Sequence, residues 1–177
     1  MTSNATSQPG QDTAAFGFGQ HDHGRCIDRA LSAAEARCTK HGLQLTPVRR
    51  KVLEVLLEEH RALGAYAILD RLREGGFGSQ PPVAYRALGF LVEHGFVHKI
   101  ERLSAFVACA HPDKAHSPAF LICRVCDAIG EAAAAPVHRA FDEAARAAGF
   151  LIEQTVLEAE GMCPACIDKC GADPIAR

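Results

Sequence analysis

The sequence predicts an α+β chain of two small units, and three observations carry that prediction. Four stretches of helical periodicity occupy residues 27 to 95, and two short apolar runs follow at 96–100 and 105–109. Beyond a loop, the pattern becomes strand, strand, helix, strand around two Cys-x-x-Cys pairs. Helices gathered at one end of a chain and a mixed unit at the other give segregated rather than alternating architecture.

Residues 1–26 are rich in Gly, Ser, Gln and Thr and read as a disordered tail, with His21, Asp22, His23 and Cys26 as solvated side chains. From Ile27 to Lys40, the apolar residues Ile27, Ala30, Leu31, Ala34 and Cys38 recur at helical spacing, and Gly42 ends this first helix. Thr46-Pro47 supplies an N-cap and a proline at the first helical position. Val48, Val52, Val55 and Leu56 then mark the buried face of a second helix reaching about His60. A third runs from Ala65 to Arg73 through Ile68, Leu69 and Leu72, before the Gly75-Gly76 breaker.

The fourth segment, Ser79 to Gly95, opens with a cap and two prolines and closes on glycine. Its apolar face uses Ala84, Leu88 and Leu91, while Tyr85 and Arg86 lie on another face where core packing has no use for them. Phe96–Ile100 and Ala105–Cys109 form a hairpin across a polar turn. Helices followed by a hairpin make a winged helix-turn-helix unit, here residues 27–109, whose last helix enters the DNA major groove.

A hinge at 110–118 leads to the second unit, residues 119–170, with a short tail at 171–177. Ala119–Cys123 and Ala128–Gly130 read as strands, Ala132–Ala148 as a helix and Phe150–Glu158 as a long strand. Such a small sheet has an open edge, and pairing with a second copy is the economical cover, so a homodimer is expected.

Charge is divided in the same way. The 177 residues hold 19 Lys+Arg and 21 Asp+Glu, a net charge of −2 that seems indifferent to nucleic acid. Residues 28–103 carry +3, however, and residues 104–177 carry −4. With 48% apolar residues the chain is no disordered polyelectrolyte, and it has neither a run of spanning length nor a signal-peptide pattern. A cytoplasmic protein without membrane contact is expected. In that reducing compartment, eight cysteines point to metal or redox chemistry rather than disulfides.

Cys123-Arg-Val-Cys126 and Cys163-Pro-Ala-Cys166 supply four thiolates, the set a closed structural Zn²⁺ prefers. One pair alone would suit a thioredoxin-like redox motif; the presence of two, with Cys163 placed after a strand and not at a helix start, favours zinc. A second set consists of His98 and Cys109 on the hairpin, His116 in the hinge and Glu131 beyond the first Cys pair. One sulfur, two imidazoles and one oxygen suit a tetrahedral zinc that would fix one unit against the other. A zinc hydrolase or deaminase would need His-Glu-x-x-His, or His-x-Glu with Pro-Cys-x-x-Cys, and these are missing, so no enzyme is expected. Arg49 and Lys51 are candidate phosphate contacts. Cys38 and Cys170 receive no role.

Leu45-Thr46-Pro47-x-Arg49, Pro81-Pro82-x-x-Tyr85-Arg86-Ala87-Leu88, Gly95-Phe96-Val97-His98-Lys99 and the two Cys pairs together resemble the ferric uptake regulator family, in its zinc uptake regulator branch, over residues 28 to 167. The resemblance implies a homodimeric, zinc-dependent repressor of zinc uptake genes that binds an AT-rich palindromic operator with Zn²⁺ as co-repressor. It implies structural zinc on Cys123, Cys126, Cys163 and Cys166, and regulatory zinc on His98, Cys109, His116 and Glu131, two sites per chain. Tyr85 and Arg86 would contact the operator. Two departures stand out. Val83-Ala84-Tyr85-Arg86 replaces the family's usual Thr-Val-Tyr-Arg, and the His-His-x-His of the iron and peroxide branches is missing ahead of Cys123, which favours zinc over iron or manganese sensing.

Overall fold

The computed structural model describes residues 23–59, 61–78, 80–110, 112 and 118–171, with backbone alone for 23–26. In order these form α1 (His23–Lys40), α2 (Pro47–Glu58), β1 (Leu63–Gly64), α3 (Ala65–Glu74), α4 (Pro81–Glu93), β2 (Val97–Ile100), β3 (Ala105–Ala108), β4 (Pro118–Cys123), β5 (Ile129–Ala133), α5 (Ala135–Ala147), β6 (Leu157–Gly161) and α6 (Pro164–Cys170). His21, Asp22 and the side chains of His23 and Cys26 lie outside the described residues.

The first unit follows its sequence pattern closely. Leu31, Ala34 and Cys38 of α1, Val52, Leu53, Val55 and Leu56 of α2, Ile68, Leu69 and Leu72 of α3, and Ala84, Ala87, Leu88 and Leu91 of α4 form one core. Thr46 caps α2 through a 3.5 Å bond from the Arg49 N–H. The N-cap of α4 is Gln80, which makes no side-chain bond. Gly95 ends α4 at φ +69°, which only glycine adopts without strain. Helix α1 starts four residues ahead of the first apolar position, because the apolar stripe marks what is buried and not where the backbone begins to coil.

Three differences concern the second unit. The expected strand over 150–158 is displaced to Leu157–Gly161, where it pairs in parallel with β4 and sets Cys123 opposite Gly161. That register brings Cys163, two residues on, beside Cys123. The alanine run fits strand and helix alike, and β5 takes Ala132 and Ala133 before Pro136 opens α5. Helix α6, absent from the sequence expectation, makes Cys163 an N-cap residue. Cys163 therefore does stand at a helix start, and the reading of zinc over redox chemistry cannot rest on its position after a strand.

The two sheets have orders β1-β3-β2 and β5-β4-β6. Alternation along the hairpin divides its side chains between two cores. Val97 and Phe106 join the helical core, while Ile100 packs with Phe120, Ile122 and Ile129 of the second sheet, and Val107 and Ala62 add to that seam. An isolated bridge between Arg61 and Ala128 forms a second contact across the units. Helix α5 buries none of its side chains. Its Val137 and Phe141 are more than half exposed, as are Phe150 and Leu151 in the segment that follows.

Candidate metal centres and nucleic-acid face

Two groups of metal-binding side chains are gathered among the described residues. In the first, one Sγ from each of Cys123, Cys126, Cys163 and Cys166 lies within 4.8 Å of the others. Strand β4 ends at Cys123, the turn after it carries Cys126, and β6 and α6 deliver Cys163 and Cys166. Cys126 Sγ and Cys163 Sγ are 3.7 Å apart, too far for a disulfide and close to the edge of about 3.8 Å expected when thiolates sit at about 2.3 Å from a tetrahedral Zn²⁺.

The protonation of this group points the same way. Burial works against ionising Cys123, but N–H donors from Cys163, Val125 and Cys126 and the Cys126 thiol outweigh it and bring Cys123 down to about 6. Cys166 is pushed up to about 12 by its bond with Cys126, by burial, and by Cys163 and the charge on Cys123. Neighbouring sulfurs thus favour ionisation of Cys123 and oppose that of Cys166, and a divalent cation at their centre removes the opposition. None of the seven cysteines whose side chains are described is in a disulfide.

The second group lies at the end of the apolar seam. His98 shares a face of β2 with Ile100, and Glu131 shares a face of β5 with Ile129, so alternation aims both into the space between the sheets. Cys109 follows β3, held by its N–H to the Phe96 carbonyl at 2.9 Å. One donor atom each from His98, Cys109 and Glu131 lie within 4.8 Å of one another. The Glu131 carboxylate also accepts the Ala110 N–H at 3.1 Å, and the His98 ring lies 5.3 Å from that of Phe120. Sulfur, nitrogen and oxygen donors this close together, Cys109 buried and His98 and Glu131 half-buried, fit Zn²⁺ and offer little to hard ions that require several oxygens. His116 lies outside the described residues.

In the first unit, Arg49 and Arg86 line one groove with Thr46, Val48, Val83 and Ala87. Arg49 stacks on Phe90 with 3.6 Å to the ring centroid and donates to the Gln44 carbonyl at 2.6 Å, which fixes its direction. Arg86 donates to the Pro82 carbonyl at 3.1 Å, and Tyr85 is half exposed beside it. Lys51 is not in that groove; its ammonium lies 3.4 Å from Glu54 and 4.0 Å from Glu58. Tyr66, which sequence reasoning passed over, is 74% exposed on the first turn of α3. No periodicity distinguishes such a residue from an ordinary solvated one. Cys38, left without a role by the sequence, is a core thiol whose pKa burial raises.

Residues 40–160 match the family model of the ferric uptake regulator family. The chain is 40% identical over 139 residues to the zinc uptake regulation protein of Escherichia coli K12, a match spanning 78% of this chain and 81% of that protein. The zinc uptake regulation protein of Shigella flexneri matches to the same extent. Among solved structures, a zinc uptake regulator complexed with zinc and DNA superposes at a TM-score of 0.79 with 37% identity, covering 82% of this chain and 98% of that one. Holo XcZur superposes at 0.74 with 40% identity, covering 80% and 99%.

Proposed function

The chain belongs to the ferric uptake regulator family, and we propose that it is a zinc-responsive repressor of zinc uptake genes, binding a palindromic operator as a homodimer with Zn²⁺ as co-repressor. The observation that carries this reading is the convergence of His98 and Cys109 from the hairpin with Glu131 from the second sheet. No single unit owns this site. The reading unit spans 27–109, the hinge 110–118 and the dimerisation unit 119–170.

Two zinc ions per chain are part of the proposal, one on Cys123, Cys126, Cys163 and Cys166, the other on His98, Cys109, Glu131 and His116. When bound in the second site, zinc supplies a positive centre that favours the deprotonated thiol and carboxylate. His98 and Cys109 then hold the hairpin toward Glu131, and the apolar seam of Ile100, Phe120, Ile122 and Ile129 closes beside them. That arrangement sets the spacing between the two α4 helices of a dimer, which half-site geometry requires. The exposed Val137 and Phe141 of α5 face the second copy. Tyr85 contacts bases and backbone, Arg86 a base edge or a phosphate, and Arg49, aimed by Phe90, a phosphate; Lys51, engaged with Glu54 and Glu58, is the weakest member of the proposed DNA-binding set.

The closed form binds zinc better than the open one, so linkage requires operator DNA to tighten zinc binding by the same factor. No helix among the described residues is long and apolar enough to cross a membrane, and we place the protein in the cytoplasm. The test is a titration of apo protein, carrying the four-thiol metal alone, with a duplex selected from a random pool on the zinc-loaded protein. Buffered Zn²⁺ should raise affinity at concentrations where Fe²⁺ and Mn²⁺ do not. Equal affinity with and without Zn²⁺ would refute the reading.

A further inference from the structure

One carboxylate outside both metal groups joins the two units. The tip of the hairpin between β2 and β3 is Glu101-Arg102-Leu103-Ser104, closed by the Ser104 N–H to the Glu101 carbonyl at 3.2 Å. The N–H groups of Glu101 and Arg102 donate to Glu158, 2.7 Å to Oε1 and 3.0 Å to Oε2. Both oxygens of one side chain thus grip two consecutive amides. Beside them Arg102 meets Glu160 through Nε at 2.9 Å and its terminal nitrogen at 2.6 Å. Glu158 and Glu160 are two apart on β6, hence on one face, and β6 runs on toward Cys163 of the four-thiol group.

The hairpin completes its own sheet without this contact, and so does β6. What the contact fixes is the placement of one sheet against the other. An exposed ion pair such as Arg102–Glu160 contributes little alone. N–H groups donating to an ionised carboxylate form the stronger class of hydrogen bond, and Glu158 makes two of them, one to each oxygen.

We propose that Glu158 is a positioning residue for operator binding: it clamps the tip of the wing to β6 and so holds the reading unit at the angle where His98 and Cys109 meet Glu131. The inference rests on the zinc-dependent repressor reading above and adds to it a coupling element that is not a metal ligand. Clamp and metal favour the same arrangement. Removing the clamp lowers the fraction of protein already in it, and the apparent zinc affinity falls by that fraction.

The experiment measures fluorescence anisotropy of the selected duplex with full-length protein against buffered free Zn²⁺. Glu158→Ala should raise the zinc concentration for half-maximal binding by about tenfold, within the usual range of coupling between sites. Affinity at saturating zinc should return close to that of the wild type. Glu158→Gln, which keeps one acceptor oxygen, should fall between. A midpoint unchanged by Glu158→Ala overturns the proposal, and so does an equal loss of affinity at every zinc concentration from a dimer that retains its four-thiol zinc.

Should Glu158→Ala fail to give a folded dimer, the charge exchange at the neighbouring pair decides. Arg102→Glu sets a like charge against Glu158 and Glu160 and should raise the midpoint, and adding Glu160→Arg should restore it; wild-type midpoints in both variants overturn the clamp. Wild-type binding that ignores zinc would overturn the repressor reading itself, a result distinct from any variant outcome.

Discussion

Shortening Ile100 tests whether the seam between the two sheets takes part in zinc sensing. Ile100 is fully buried and is the hairpin's main contribution to the cluster completed by Phe120, Ile122 and Ile129, with half-buried Val107 beside it. Ile100→Val removes one methylene, about 0.8 kcal/mol by transfer, and the remaining void brings the cost to about 1 kcal/mol. The helical core is untouched, because Val97 and Phe106 face it and Ile100 does not. The loss therefore falls on the packing of sheet against sheet. A shift of about 1 kcal/mol changes the ratio of closed to open protein about fivefold, and the free zinc needed for half-maximal operator binding should rise by up to that factor. Ile100→Ala should cost about 2–5 kcal/mol and abolish the response at attainable zinc. Urea unfolding of the zinc-loaded dimer gives the first quantity and the zinc-buffered operator titration the second. A loss of about 1 kcal/mol in stability with an unmoved zinc midpoint would show that the seam is structural filling and that closure does not pass through it.

Cys109→Ser should abolish zinc-stimulated operator binding while leaving a dimer with one zinc per chain by metal analysis; undiminished stimulation would remove Cys109 from the sensing site. Arg86→Ala should weaken operator binding by about 1–3 kcal/mol and relax sequence preference if Arg86 reads a base, whereas a uniform loss over all sequences would make it a phosphate contact. Cys123→Ser should release the four-thiol metal and yield a second unit that is unfolded or monomeric by circular dichroism and sedimentation, and a stable zinc-free dimer would contradict a structural role. Phe141→Asp, on the exposed apolar face of α5, should raise the dimer dissociation constant at least tenfold in sedimentation equilibrium; an unaffected dimer would place the interface elsewhere.

The first unit was legible because its helices announce themselves locally: an apolar stripe, a Thr-Pro start, a glycine stop. The four-thiol group was legible from spacing, although its register was not. Strand β6 lies at Leu157–Gly161 because pairing with β4 must deliver Cys163 to Cys123, a tertiary demand that overrides the apolar pattern at 150–158. Phe150 and Leu151 resemble strand residues for a different reason: they are exposed apolar surface on this chain. Helix α6 starts at Cys163-Pro164, a valid helix opening, but its seven residues are too short to show an apolar stripe in the sequence. Sequence patterning grouped His98, Cys109 and Glu131 with His116 by their donor types; the geometry that brings three of them together depends on the hairpin facing two cores at once, which no single strand's pattern reveals.

The two metal groups also differ in a way that suits different tasks. All four donors of the thiol group come from β4, the turn after it, β6 and α6, so filling it stabilises one unit and reports nothing about the other. Four thiolates around one Zn²⁺ would give a closed site of high affinity that keeps its metal while free zinc varies. The second group mixes sulfur, nitrogen and oxygen donors and completes itself only when the hairpin meets the second sheet, so part of its binding energy is spent on closure. Its apparent affinity is therefore weaker than its ligands alone would give, and adjustable through contacts that are not ligands, Ile100 and Glu158 among them. A sensor needs that adjustability: the ligands set which metal is bound, and the fit between the two sheets sets the concentration at which binding takes hold.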